Sequence, residues 1–497
     1  MLKLQIARLP VPELEFAGSA YFSNPRRGLI EAGPFDMRFG SAHRAQVRIA
    51  IVAPRNMVPD AIAWFNRCSN AIEPENPDGN VERFPGFFDV FRSELVVDAN
   101  STIFIEDSPL QTALALKPYD ALSEVLRLYG AAMLAAKREY KPDVIVCCIP
   151  EAVEKRCRNV QRAMSPDERQ AVKAAARATI SAQMELPLDW EPNEAPEDLL
   201  RRDLRRALKA EAMRIEVPIQ IVTNNVLIDS RNNEEACLRA WNLCVGVYYK
   251  AGGIPWRIRN NGPDTCYVGI TFHHLRTTKR ALVHSSLAQA FSTNGGGFAL
   301  RGAALQPPES GRMRSPHMDE AQAQELGRRV LEAYVERNGT IPKRIVLHKS
   351  SRFLPDELDG FKKALRAVPV VQMISLAPSS IRLVTHATYP PARGTLLTIE
   401  DSRHFLFTSG YVRELETYPG PHIPIPVEVT MYGTQTLTDV REAAIEALGL
   451  GRLNWNTSDL RSSQPVTLGF ARRVGGIMAE YGLSEEREPD PSYRYYM

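Results

Sequence analysis

The residues best suited to do chemistry lie at positions 250–256, which read Lys-Ala-Gly-Gly-Ile-Pro-Trp. Two adjacent glycines followed by Ile-Pro let the backbone approach a bound group and then turn, and the lysine ahead of them supplies a compact positive charge. That combination suits an anion held against main chain, although Gly-Gly-x-Pro after a helix is also ordinary punctuation. Upstream, residues 198–214 carry Arg201, Arg202, Arg205, Arg206, Lys209 and Arg214. They are expected to form a helix with a basic face, Arg205 and Lys209 standing one turn apart. A charge run is commonly no more than a solvated face. Its place directly before the apolar strand that opens Pro218-Ile219-Gln220 favours a phosphate site. His273-His274 offer two imidazoles, but no carboxylate or cysteine stands at ligand spacing, so no metal is assigned to them.

These residues need a scaffold, and the apolar pattern supplies one. Residues 46–52 (QVRIAIV) form a near-continuous apolar run, as in a strand buried on both faces of a parallel sheet. Helix candidates at 61–69 and 119–140 alternate with strand candidates at 102–106, 143–149 and 219–227. That order predicts a parallel, doubly wound layer that binds ligands at the carboxyl ends of its strands. There is no G-x-G-x-x-G and hence no dinucleotide site. Residues 151–200 shift to a charged, Ala-rich helix and then a Pro/Glu/Asp-rich loop, which reads as an insertion. Strands at 265–272, 282–291 and 297–301 follow, joined by short turns. A helix at 319–337 comes next, with Leu326, Val330, Leu331, Tyr334 and Val335 on one face and Gly339 after its end. A strand at 343–348, a short helix after Pro355 and a strand at 370–376 complete the order of an RNase H-like core. Residues 1–45, dense in Gly and Pro, read as a loop-rich arm with short strands. The last third adds strands at 395–400 and 405–409, helices at 439–448 and 469–481, and an aromatic tail, 492–497. A free tail of that composition would be an apolar liability, so it is expected to be docked.

Composition sets the outer bounds. At 497 residues, 44% hydrophobic and 24% charged, the chain is globular and long enough for at least two cores. Lys and Arg number 61 against 58 Asp and Glu, a net charge of +3, so any surface for a polyanion must be local. The seven cysteines contain no C-x-x-C and fall largely in apolar contexts, which points to a reducing setting. No apolar run is long enough for a signal sequence or a membrane span, so a soluble, cytoplasmic protein without a membrane partner is expected.

Taken in order, several stretches resemble the MID and PIWI domains of Argonaute proteins. They are Arg205 with Lys209, Gln220, Lys250 before Gly252-Gly253, RIVLHKSSRF (344–353), LNWN (453–456) and PVTL (465–468). The likeness is to the short prokaryotic Argonautes that lack N and PAZ domains, and it covers most of the chain. It implies an α/β fold: an N-terminal arm (1–45), a Rossmann-like MID domain (46–232, with the insertion at about 151–200) and an RNase H-like PIWI domain (233–497). Arg205, Lys209, Gln220 and Lys250 would then surround the 5′ phosphate of a guide, where point charges plus a guanidinium fork suit a dianion. The resemblance also implies a Mg²⁺ at the guide phosphates, with Gln220 and the C-terminal carboxylate of Met497 as ligands.

A slicing Argonaute needs converging carboxylates to hold two divalent metals. At the matching positions stand Thr271 after Gly269-Ile270, Ser350, and Arg472, and the loop that should supply a glutamate has only Glu309. Hydroxyls and a guanidinium do not hold two hard cations. The resemblance therefore implies an inactive nuclease that binds a guide RNA and captures complementary single-stranded DNA without cutting it. Such a chain implies an APAZ-domain partner carrying a TIR or SIR2 NAD-consuming effector, or a nuclease. The two would form a heterodimer that assembles further on activation in antiviral or anti-plasmid defence. The alternative is a Mg²⁺- or Mn²⁺-dependent endonuclease that uses Asp264, Glu309 or Asp356.

Overall fold

The computed structural model describes residues 3–75, 81–161, 201–230, 234–259, 262–275, 283–292, 297–305, 317–384, 390–418, 420, 423–433, 439–458, 464–481, 490 and 492–497. Most of the expected insertion (162–200) and Glu309 lie outside these residues.

The first sheet has four parallel strands in the order Glu94–Ile105, Gln46–Pro54, Val144–Ile149, Ile219–Thr223. Both faces are covered, which is why its central strands read as unbroken apolar runs. On one face Ala50, Val52, Ile145, Cys147 and Ile219 pack with Leu122, Val125 and Tyr129 of the helix Pro118–Tyr140 and with Leu204 and Leu208 of the helix Leu204–Ile215. On the other, Val47, Ile49, Val146 and Val222 meet the helices Val58–Cys68 and Ala236–Lys250. The strand expected over 219–227 ends at Thr223, and Asn224–Leu227 turns into a short helix. All seven cysteines are buried and unpaired. Burial raises the Cys147 and Cys148 thiols, which act as small apolar groups.

The second sheet has nine strands. Their order is Leu4–Arg8, Thr395–Ile399, Arg403–Leu406, Val427–Tyr432, Val370–Pro378, Arg344–Lys349, Thr265–Leu275, Val283–Ser292, Gly297–Leu305. Arg344–Lys349 runs parallel to both its neighbours, and every other pair is antiparallel. The helices Glu320–Asn338 and Pro355–Ala364 cover one face through Leu326, Val330, Tyr334 and Phe361. Three antiparallel strands, helix, strand, helix, strand is the order expected from the sequence. The first of these helices starts and stops where its end residues dictate. Asp319 and Gln322 form a reciprocal capping box, and Gly339 closes the end at φ 73°.

Residues 1–45 are more than an arm. Leu4–Arg8 is an edge strand of the nine-stranded sheet, and Leu14–Glu15 with Tyr21–Phe22 and Arg257–Ile258 builds a small third sheet. Among the described residues no helix is long and apolar enough to cross a membrane.

Candidate nucleic-acid interface

Three polar side chains expected from the sequence meet where the two large sheets adjoin. Asp203 caps the helix Leu204–Ile215, its carboxylate accepting the backbone N–H of Arg205 (3.0 Å) and Arg206 (3.3 Å). The apolar face of that helix turns Leu204 and Leu208 into the core and leaves Lys209 at its margin. Gln220 is the second residue of the strand Ile219–Thr223. Its amide donates to the Ile221 carbonyl (3.2 Å), and its Oε1 accepts from Lys250 Nζ (2.6 Å).

Lys250 is the last residue of the helix Ala236–Lys250, where the free carbonyl ends favour positive charge. It is only 3% exposed. Among the described residues no carboxylate lies within ion-pair distance of Lys250 or Lys209. Burial pushes the Lys250 ammonium well below its ordinary pKa, and the charge of Lys209 pushes the same way. Lys209 is pulled down to about 8, first by burial and then by the charges of Arg473 and Arg205. Lys250 on the Gln220 amide oxygen, with Lys209 near enough to act on its charge and no carboxylate at ion-pair distance of either among the described residues, makes a seat suited to an anion.

The glycines do a different job from the one expected. Gly252 takes φ 100° with Arg44 beside it, and a Cβ on Gly253 would fall inside the Tyr248 ring. They turn the helix end and seat it on Tyr248, whose hydroxyl donates to Asp36 (2.8 Å). Arg205 also departs from expectation. Its guanidinium reaches Glu154 (2.8 Å) and lines a cleft with Ile149, Arg158 and Thr223 at the carboxyl ends of two strands. The expected crevice is therefore lined by Arg205, while Lys209, Gln220 and Lys250 gather about the second residue of the last strand.

Sequence reasoning missed two contributors. The tail is docked as expected, with Tyr493, Tyr495, Tyr496 and Met497 buried, and the Tyr496 carbonyl accepts from Lys209 Nζ (3.4 Å). Glu480, in the helix Ala471–Tyr481, accepts from Arg202 Nε (2.8 Å) and from the backbone N–H of Asp203 (3.3 Å), fixing the start of the Lys209 helix. No local pattern joins residues so far apart in sequence.

The donor set around Gln220 is poor for Mg²⁺. Gln220 Oε1 is engaged by Lys250, the neighbouring side chains are cationic, and among the described residues no three His, Cys, Asp or Glu gather to hold a metal. The residues fit an anion and do not fit the expected Mg²⁺ held by Gln220 and Met497.

In the nine-stranded sheet, Lys349 pairs with Ile270 as the last pair of two parallel strands, so Ser350, just past the end of its strand, and Thr271, within its own, follow side by side. They share the face on which His348 Nδ1 meets Thr467 Oγ1 (3.0 Å) and on which a Cβ at Gly269 would collide with the Thr467 carbonyl. Thr271 and Ser350 are thus brought together as expected, beneath the helix that begins after Pro465. The side chain of Arg472 lies outside the described residues. Asp264 stands at the opposite end of its strand and accepts from the Tyr334 hydroxyl (2.7 Å), and Asp356 is exposed on a helix covering the other face. Asp264 thus lies at the far end of the strand from Thr271, and Asp356 faces solvent on the other side of the sheet. The side chains of His273 and His274 are likewise outside the described residues.

No family model and no curated protein matches the sequence. Solved structures do. The chain is similar to Clostridium butyricum Argonaute bound to a guide DNA (5′ deoxycytidine) and a 19-mer target DNA, with a TM-score of 0.62 at 14% identity over 97% of this chain and 54% of that one. It is similar to Aa-Ago with externally bound siRNA (TM-score 0.59, 15% identity, 99% and 56%) and to A. aeolicus Argonaute (0.57, 13%, 98% and 55%). The chain spans about half the length of these neighbours, and at such identities the likeness carries the fold: this is the MID–PIWI architecture of an Argonaute.

Proposed function

We propose that this chain is a guide-dependent nucleic-acid recognition subunit. It binds the 5′ phosphate of a guide RNA at Lys209, Gln220 and Lys250 and presents the guide to complementary single-stranded DNA. The observation that carries this is a buried lysine on an amide oxygen beside a second lysine, with no carboxylate at ion-pair distance among the described residues. A terminal phosphate supplies two negative charges and several acceptors to those donors. Sequence discrimination is then left to base pairing, and the protein holds backbone. Two of the Argonaute neighbours are named for bound guide and target DNA or for siRNA, which supports the ligand class.

The reading extends to the second sheet. With Thr271 and Ser350 where carboxylates would hold metal, the chain binds its target without cleaving it, and the response comes from an associated APAZ-domain effector of TIR, SIR2 or nuclease type. This places the protein in antiviral or anti-plasmid immunity within the cytoplasm, with NAD depletion as one output.

The experiment is to purify the chain from cells and end-label co-purifying nucleic acid before and after phosphatase treatment, followed by RNase or DNase digestion. Short RNAs that label only after phosphatase support the reading. Nucleic acid that labels equally without phosphatase, or Mg²⁺- or Mn²⁺-dependent cutting of a guide-matched target, overturns it in the corresponding part.

A further inference from the structure

The helix that carries Lys209 is held at its start by two carboxylates in series. Asp203 accepts the N–H of Arg205 and Arg206 within the first turn, and Glu480 accepts the N–H of Asp203 itself (3.3 Å) together with Arg202 Nε (2.8 Å). Just ahead of that turn, the backbone N–H and C=O of Arg202 pair with those of Val160. Glu480 comes from elsewhere: it stands in the helix Ala471–Tyr481, which packs on the strand Thr265–Leu275 of the nine-stranded sheet, and its side chain is only 2% exposed. Gly476 and Arg473, four and seven residues earlier, share its helix face. A Cβ on Gly476 would stand 3.0 Å from the Arg206 side chain, so the absent side chain lets the two helices close on each other. After burial, the charge of Arg473 is the largest influence lowering the Lys209 ammonium. One end of the helix Ala471–Tyr481 is thus tied to the start of the Lys209 helix, and the other brings Arg473 toward Lys209.

We propose that Glu480 is a positioning residue for the phosphate seat: by tying the two helices it sets where Lys209 stands relative to Arg473 and Lys250, so that selectivity for a terminal phosphate depends on a carboxylate that touches no ligand. The proposal rests on the guide-binding function of the preceding subsection and assigns that function a control residue outside the seat. The groups that act on Lys209 are Arg205 and Asp203 on its own helix, Arg473, Lys250 across Gln220, and the Tyr496 carbonyl of the tail. Arg205 and Asp203 travel with Lys209, whereas Arg473 is held in place through the Glu480 tie. Releasing the tie therefore frees Arg473 to move away, which returns Lys209 toward the ordinary lysine value. Loss of the Glu480 charge by itself would act in the opposite direction, and an ion pair that served only the fold would leave the titration of Lys209 where it is.

The test uses the full chain and one guide RNA sequence with either a 5′ phosphate or a 5′ hydroxyl, titrated from about pH 6 to about pH 10 at a temperature well below the Tm of each variant. Glu480→Ala should weaken the 5′-phosphorylated guide about tenfold or more, leave the 5′-hydroxyl guide within about twofold, and move the decline of the phosphate preference upward from about pH 8. Gly476→Leu, which wedges the same helices apart without removing a charge, should do the same. Glu480→Gln keeps an acceptor for the Asp203 N–H and should restore most of the preference. Should Glu480→Ala not fold, Glu480→Asp, one methylene shorter with its charge retained, takes its place with a loss of about threefold. A lowered Tm with an unchanged phosphate preference and an unchanged pH midpoint overturns the proposal, as does a downward shift of that midpoint or a Gly476→Leu protein that binds both guides as before. Absence of any preference for 5′-phosphorylated guides in the unaltered protein would instead sink the guide-binding function itself.

Discussion

Two buried lysines, one beside each sheet, are treated in opposite ways. Lys349 is fully buried, and its ammonium donates to both oxygens of Glu357 (2.6 Å each), to the Arg352 carbonyl (3.2 Å) and to His317. Glu357 also accepts the backbone N–H of Met318 and Leu354. Burial alone would raise that carboxyl, but the hydrogen bond from His317 and the charge of Lys349 hold it down at about 2. Lys250 has Gln220 and a neighbouring lysine. Where the lysine is structural the protein provides the counter-charge; where it is not provided, a ligand must bring it. A buried cation is therefore informative through what it lacks.

The comparison can be broken in several places. The largest effect falls on the compensated pair: Glu357→Ala leaves the Lys349 ammonium buried without its carboxylate and should cost about 3–5 kcal/mol of stability, read as a fall in Tm or in the denaturant midpoint. Lys250→Met should do the reverse, leaving the guide-free protein at least as stable, since a buried amine whose charged form is disfavoured is removed. A loss of stability as large as that from Glu357→Ala would mean that Lys250 is structural. Lys209→Ala together with Lys250→Ala removes charge-assisted contacts worth about 1.5–3 kcal/mol each, so 5′-phosphorylated guides should bind roughly 10²- to 10⁴-fold more weakly and 5′-hydroxyl guides nearly as before. Equal losses for both guides would place the phosphate elsewhere.

The pH response sharpens the same contrast. Lys209 in the empty site titrates near 8, below the ordinary lysine value, and a bound phosphate favours its charged form. The Lys209 share of the phosphate-dependent affinity should be fully present below about pH 8 and decline as pH rises through that value, and Lys250, lowered further, should take up a proton on binding and add a decline that begins at lower pH. Calorimetry in buffers of different ionisation enthalpy would detect that uptake. The smallest effect is expected from Thr271→Ala and Ser350→Ala, which should change neither guide affinity nor the absence of target cleavage.

Much of the fold was legible because its signals are local. Gln46–Pro54 and Val144–Ile149 read as buried parallel strands from their apolar runs alone, and the helix Glu320–Asn338 was bounded to within a residue by Asp319 and Gly339. Lys209, Gln220 and Lys250 were legible as a set through residue type and order. Arg205 was not, because one turn of helix decides whether a side chain meets Gln220 or Glu154. Nor were the roles of Gly252 and Gly253, since a glycine in a sequence says that a side chain is excluded without saying by what; here it is Arg44 and Tyr248. Least legible were Glu480 with Arg202 and Leu4–Arg8 with Thr395–Ile399, partners joined only by the closed fold.

The tail contact has a consequence for synthesis. The sheet that carries Gln220 and the helix that ends at Lys250 leave the ribosome well before Glu480 and Tyr496, which fix the Lys209 helix and meet its ammonium. Tyr496 follows Lys250 by 246 residues, roughly 10–50 s of translation at common rates. Throughout that interval the nascent chain has its three phosphate-seeking side chains but not the groups that hold Lys209 in place. A chain cut short before Glu480 would lack the groups that fix the Lys209 helix.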